Sequence, residues 1–419
     1  MEPTKSFLPG SLLLSFSTAI AFTLSFVSAA SSLLQRVSVH YLPSQHLYQS
    51  FTSSALLFNM PASVATSEQE EDDYQPVLHF IVDVDQLTNH GINASDVSKL
   101  KASSYYTIGQ VMNAHSKVLK TIKGYSEQKV EKVKEAARKC QPHGFTGMMT
   151  AQELLIRRKS CFRIPTGSKQ WDSILGGGFE SRSVNEVYGE YRCRKTQLSH
   201  TMCVIAQVSI YLDQQLDRSD ISQKPKSEGG AEGKVAVINT EGTFRPERVA
   251  QVAEYHQMDP ETVNENILYV RALNSEHQHD SLIQMAESFA TGEYRLLIVD
   301  SILNLFRSDY QGRGELNERQ QRLGIHLRKL AEFAEEFNIT VFMTNQVQSD
   351  PGASALFAGA DGRKPVGGHV LAHASATRVL LRKGRGEERV AKIMDSPDCP
   401  EAEATYVITT GGINDPDKA

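Results

Sequence analysis

Gly189-Glu190-Tyr191-Arg192-Cys193-Arg194-Lys195-Thr196-Gln197 departs at one residue from the phosphate-binding pattern G-x-x-x-x-G-K-[ST]. Residues 183–188, just before it, read as a buried strand ending in Val187 and Tyr188. Residues 197–208, just after it, carry Leu198, Met202 and Ile205 at helical spacing. Strand, loop and helix in that order are the context the pattern requires. In such a loop, successive backbone N–H groups and the helix N-terminus cradle a polyphosphate. Lys195 neutralises the β and γ oxygens, and the Thr196 hydroxyl reaches Mg²⁺. The departure is Arg194, at the second glycine. A side chain there resists the left-handed backbone the loop needs, at a cost of roughly 1–3 kcal/mol. A pattern lacking one glycine decides little by itself, so the rest of the chain has to support it.

Outward from the loop, short apolar runs alternate with helical segments: residues 235–239, 267–271, 296–300 and 340–344. Such runs predict a parallel sheet buried on both faces. Residues 378–382, 390–394 and 405–409 follow closely and predict meandering strands at the sheet's end. Gly176-Gly177-Gly178 marks a turn before the first core strand, and the polar residues 214–233 read as an inserted surface loop. Upstream, residues 77–139 look like a small helical domain. Ile122-Lys123-Gly124-Tyr125 followed by Ser126 resembles the turn of a helix-hairpin-helix, leading into a helix over 127–139. The Lys and Arg residues of that helix form either a solvated face or a weak, sequence-neutral DNA contact.

The first residues do not match the rest. From Ser6 to Gln35 there is no charged side chain, a run long enough to span a bilayer and similar to a signal peptide. The plainer reading is an atypical extension that is disordered or not normally translated. The boundaries expected are an extension over 1–75, with an apolar leader and an acidic linker, and a helical domain over 76–140. A linker over 141–160, an α/β core over 161–413 and a tail over 414–419 follow. A net charge of −5 argues against a protein basic all over its surface, without bearing on local basic loops. Five cysteines without C-x-x-C spacing indicate neither a zinc site nor a disulfide framework, and fit a reducing compartment.

Three polar residues end core strands. Asp300 closes Leu296-Leu297-Ile298-Val299 and is placed to hold Mg²⁺ beside Lys195 and Thr196; a turn residue is the alternative. Glu241 follows the strand at 235–239 and is placed to act as general base on a water, or simply to sit at a helix N-terminus ahead of Pro246. Gln346 ends the strand at 340–344 and either senses a γ-phosphate or caps the core.

With these residues in view, residues 77–413 resemble a eukaryotic RecA-type DNA recombinase. The resemblance is carried by GEYRCRKTQLSHT, NTEGTFRPERV, RALNSEHQ, LLIVDSILNLFRSDYQGRGELNERQQ and the long stretch from MTNQVQSDPGASALFAGADGRKPVGGHVLAHAS to AEATYVIT. LSHT, NSEH and GGHVLAHAS are similar to the meiosis-specific branch. The resemblance implies an α/β fold. Its core would be a RecA-like P-loop ATPase, a mostly parallel twisted sheet flanked by helices, with a small N-terminal all-α helix-hairpin-helix domain.

It also implies roles. Gly189, Glu190, Tyr191, Arg192, Cys193, Arg194, Lys195, Thr196 and Gln197 would bind ATP, and Thr196 and Asp300 would hold Mg²⁺. Glu241, Lys195 and Gln346 would be catalytic, and Arg248 would stack on adenine. His373, Asp395, Pro397 and Pro400 would reach the nucleotide of a neighbouring subunit. Two Gly-rich loops, 309–318 and 348–366, would grip DNA through Arg307, Arg313, Pro351, Gly352, Arg363 and Lys364, and are expected to be disordered without it. Partners implied are single- and double-stranded DNA, further copies of the chain in a ring or helical filament, and recombination accessory proteins, with no membrane. The location implied is the nucleus. Two departures stand out. Arg194 opens the alternative of a filament subunit with impaired ATP binding and hydrolysis. The polymerisation motif, normally a Phe and an Ala three apart, is here Phe145 and Ala151, or Met148 to Ala151 with Met in the Phe pocket. Asn239 stands where Asp is usual, a change expected to be tolerated.

Overall fold

The computed structural model describes residues 81–140, 149–208, 231–312, 314–349 and 363–416. The apolar leader, Phe145, Met148, Arg313, Pro351, Gly352 and most of the 214–233 insertion lie outside the described residues.

The helical domain begins with a 3₁₀ turn, Val84–His90, closed by Gly91 at φ 83°. Helices Ala94–Ala102, Ile108–Asn113, Ser116–Leu119 and Glu127–Cys140 follow. They bury Val84, Leu87, Leu100, Ile108, Val111 and Val133 in one cluster. Gly124 takes φ 88° in the hairpin turn. The basic helix is less free than its sequence suggests. Lys129 pairs with the buried Asp96 and Lys134 donates to the Ala114 carbonyl, so both cations serve the domain's own packing. Thr107 caps the Ile108–Asn113 helix and also donates to Glu336 of the core at 2.5 Å, while Tyr106 Oη donates to Glu287.

The segment expected to be a linker contains a helix, Ala151–Arg158, started by a capping box between Thr150 and Glu153. A two-stranded sheet, β1 (Arg163–Ile164) and β2 (Phe179–Glu180), brackets the Lys169–Ile174 helix. The main sheet then takes β3 (Ser183–Gly189), β4 (Lys234–Asn239), β5 (Ile267–Arg271), β6 (Tyr294–Asp300), β7 (Thr340–Ser349), β8 (Arg363–Pro365), β9 (Thr377–Lys383), β10 (Arg389–Asp395), β11 (Glu403–Thr409) and β12 (Gly412–Asn414). Its order is β12-β11-β10-β9-β3-β7-β6-β4-β5, with β8 paired antiparallel to β7. The run β9-β3-β7-β6-β4-β5 is parallel, and β9 to β12 is an antiparallel meander.

Side chains alternate between the two faces, so both bury an apolar set. On one face Val187, Val235, Val237, Ile298 and Phe342 pack against Trp171, Leu198, Met202 and Tyr406. On the other, Val184, Ile238, Leu297, Val299 and Val341 pack against Leu323, Leu327, Leu330 and Phe333 of the Leu316–Phe337 helix. Two expectations need correction. β5 is not buried on both faces, because it is the sheet's edge, and Tyr269 stands 42% exposed there. Residues 309–318 are not one continuous loop, because the Leu316–Phe337 helix already begins at Leu316.

Candidate nucleotide site

The parallel strands end on one edge, and the register sets what meets there. Gly189 lies beside Gln346 across β3 and β7, and Asn239 lies beside Asp300 across β4 and β6. Ligands of open α/β sheets bind at such carboxyl ends, where strand order reverses. The chain leaves β3 for the distant β4, while β9 takes β3's other side.

The phosphate loop spans from Gly189 to the Lys195–Ile205 helix, whose N-cap is Arg194. Arg194 has φ 66° and ψ 33°, the left-handed conformation that a glycine would adopt, and Arg192 has φ 68°. Its side chain is exposed. The first N–H groups of the helix have no intrahelical acceptor and are available to an anion. Lys195 Nζ donates to the carbonyls of Gly189 and Glu190 at 2.8 and 3.1 Å, at the mouth of the loop. Burial pulls its pKa below the usual lysine value. The loop therefore keeps the shape of a phosphate cradle with arginine in it, and the donor set suits a triphosphate.

Asp300 is 3% exposed and accepts from Thr344 Oγ1 at 2.5 Å; burial pushes its carboxyl up, while hydrogen bonds from Thr344 and Thr196 hold it down. A buried carboxylate beside a threonine hydroxyl at a helix N-terminus suits a hydrated divalent cation. Glu241 Oε1 accepts from Gln346 Nε2 at 2.9 Å and from Ser301 Oγ at 3.1 Å. Glu241 and Gln346 thus meet at the edge where Asp300 ends β6, but Gln346 does not end its strand as its apolar run suggested, because β7 continues to Ser349. Asn239 Oδ1 accepts from Gly242 N at 2.5 Å and closes the turn toward Glu241, a bond an amide makes as well as a carboxylate. Arg248 donates to Gln197 Oε1, Thr409 O and Thr410 O, so two residues named from the sequence meet at the rim.

The other named residues are spread out. His373 is exposed on the Gly368–Ala374 helix, and Asp395, Pro397 and Pro400 are exposed at the end of β10 and just beyond it. Arg307 is exposed on the Asn304–Asp309 helix, Arg363 and Lys364 lie in β8, and Ala151 is the exposed first residue of its helix. Among the described residues, no helix is long and apolar enough to cross a membrane.

Several contributors had no sequence mark. His200 Nε2 accepts from the backbone N of Arg245, joining the loop's helix to the N-terminus of the Pro246–Tyr255 helix; burial drives its pKa down to about 4. Asn345 donates to Glu186 at 2.7 Å and to the Val366 carbonyl at 2.7 Å, and its Oδ1 accepts from Gln346 N. Glu186, wholly buried in β3, is paired with Arg378 Nε at 2.7 Å. Tyr406 Oη donates to the Cys193 carbonyl, inside the loop itself. Only Thr344 and Glu186, polar residues inside apolar strand runs, offered a local signal.

Residues 157–416 match the model of the Rad51 family. The chain is 56% identical over 353 residues to the meiotic recombination protein DMC1 of Saccharomyces cerevisiae, covering 84% of this chain and 99% of that protein. It is 56% identical over 337 residues to the meiotic recombination protein DLH1 of Candida albicans, covering 80% and 98%. It is 48% identical over 350 residues to the DMC1/LIM15 homolog of Mus musculus, covering 83% and 97%.

Proposed function

The chain belongs to the Rad51 family, and from that membership we propose that it is an ATP-dependent DNA recombinase of meiosis and double-strand break repair. It assembles as a helical filament on single-stranded DNA and catalyses homologous pairing and strand exchange with a duplex. The observation that carries this reading is the contact of Gln346 and Ser301 with Glu241, beside the phosphate loop and Asp300.

ATP with Mg²⁺ supplies the scissile phosphoanhydride and the charge that the metal offsets. The chain's own residues do the rest. Lys195 and the N-terminus of the Lys195–Ile205 helix hold negative charge, and Thr196 and Asp300 hold the cation. Glu241 takes a proton from water, and the hydrogen bonds from Gln346 and Ser301 fix the carboxylate's direction. Gln346 lies in β7, which runs on through Ser349 toward the second DNA loop, while Asn345 ties the same strand to Val366 on that loop's return. A shift at Glu241 is thereby passed to Pro351, Gly352, Arg363 and Lys364, with Arg307 ahead of the first loop and Arg313 within it completing the grip on the strand. His373, Asp395, Pro397 and Pro400 complete the site of a neighbouring copy, so turnover follows assembly. The intact Glu241 contacts favour this reading over a subunit that does not hydrolyse. The protein works on chromosomes in the nucleus with recombination accessory proteins, and its leader does not direct it to a membrane.

The test is purified protein with Mg–ATP and single-stranded DNA. Regular helical fibres by electron microscopy and hydrolysis stimulated by DNA are expected. Absence of fibres at saturating nucleotide overturns the proposal.

A further inference from the structure

We infer that Tyr406 is a positioning residue for the phosphate loop: its hydroxyl holds the peptide between Cys193 and Arg194 in the orientation that lets an arginine stand in a glycine's place. This rests on the reading of residues 189–197 as a triphosphate cradle.

Cys193 is flanked by two non-glycine residues with positive φ, Arg192 at 68° and Arg194 at 66°. Such a backbone persists only where its surroundings over-determine it. The peptide that decides the matter joins Cys193 to Arg194. A half-turn of its plane would carry Arg194 to negative φ and release the strain. In a trans peptide the C=O and N–H point to opposite sides. The same half-turn would therefore reverse the Arg194 N–H, taking one donor from the cradle and leaving the Cys193 carbonyl without its partner.

That carbonyl is held. Tyr406 Oη donates to Cys193 O at 3.2 Å, a bond buried on both sides. Tyr406 itself has no freedom to follow a flip. It is wholly buried in β11, with its ring 4.9 Å from Trp171 and inclined 30° to it. Trp171 is also wholly buried, on the Lys169–Ile174 helix. That helix is fixed at its start by Asp415, which accepts from Ser168 Oγ, Lys169 N and Gln170 N. A brace thus runs from the end of the described chain through an aromatic pair to the peptide ahead of Arg194. With glycine at 194 the left-handed backbone is free of strain, and the brace becomes dispensable.

The test is a cycle of four proteins: the unmodified chain, Tyr406→Phe, Arg194→Gly and the double variant. Each is titrated with a fluorescently labelled ATP in Mg²⁺, and each is assayed for DNA-stimulated hydrolysis. Phenylalanine keeps the ring against Trp171, the only tryptophan of the chain, so unchanged Trp emission reports an intact core. Tyr406→Phe is expected to weaken nucleotide binding roughly five- to tenfold with arginine at 194, raising KM with kcat within about twofold. With glycine at 194 the same change is expected to cost less than about twofold. An equal or larger loss in the glycine background, or no loss in the arginine background, overturns the inference while leaving the cradle intact. If no variant binds nucleotide, Arg194→Gly included, the cradle reading falls and the inference with it.

Discussion

Arg378→Met removes the counter-ion of a carboxylate that has no route to water. Glu186 is 0% exposed in the middle of β3, and Arg378 in β9 is 14% exposed. After the substitution Glu186 keeps one donor, Asn345 Nδ2 at 2.7 Å, and loses the guanidinium. Breaking a buried pair from one side costs about 3–5 kcal/mol, because the remaining charge is stranded. The guanidinium also lies 5.4 Å from the Tyr188 ring, a contact of about 0.5–1 kcal/mol. We therefore expect a loss of about 4 kcal/mol. Adding Glu186→Gln removes the stranded charge but leaves an acceptor for Asn345, so the double variant should recover about 2 kcal/mol. Urea unfolding followed by Trp171 emission reads both values, since the indole lies wholly buried against the face of the sheet that carries Val187. A loss below about 1 kcal/mol for Arg378→Met, or a double variant weaker than the single, would refute the argument that charge burial governs this site.

Two further outcomes follow from the geometry. Burial pushes the Asp172 carboxyl up to about 7, against the hydrogen bonds it accepts from Thr166 N and Oγ1 and with Asp415 adding to the rise. Its folded pKa lies above the unfolded value of 3.8, so the native state holds the extra proton between these pH values; stability is full below about pH 4 and falls as pH rises through 7. Asp172→Asn keeps an acceptor for both Thr166 donors and should match the parent in urea at pH 4 yet exceed it by up to about 4 kcal/mol at pH 8; parallel pH profiles would contradict the assignment. Glu241→Gln should still take hydrogen bonds from Gln346 and Ser301, bind nucleotide and form fibres, while hydrolysis drops by about 10²–10⁴-fold; turnover within tenfold of the parent would remove Glu241 from the role of base.

The core was legible where chemistry coincided with the end of an apolar run. Asp300, Glu241 and Gln346 stand just past apolar runs of period and length that only a buried sheet explains, so their convergence followed from topology. The edge position of β5 was not legible, because Ile267 to Val270 is as apolar as the central strands; what exposes it is the lack of a strand beyond it among the described residues, which is a fact of assembly order. The helix from Ala151 was hidden inside a segment read for its docking motif, although Thr150 and Glu153 already spelled a capping box. The Tyr406–Cys193 bond spans 213 residues, and the Asn345 and Glu186 contact spans 159. Pairs of that separation leave no periodicity and no spacing to read, since they arise from the packing of elements far apart in the chain.

The joint between the helical domain and the core turns on a missing methyl group. Glu336 reaches Thr107 by lying directly over Gly109, and a Cβ on that glycine would overlap its carboxylate. Since a carboxylate at the end of a flexible side chain can swing aside, alanine at 109 would act less as a clash than as a release catch. The acid would abandon the threonine, leaving the seam to Tyr106 on Glu287 and to the packing of Ile81 and Tyr106 against the core. The bare backbone of Gly109 is thus what lets one carboxylate latch the two blocks together.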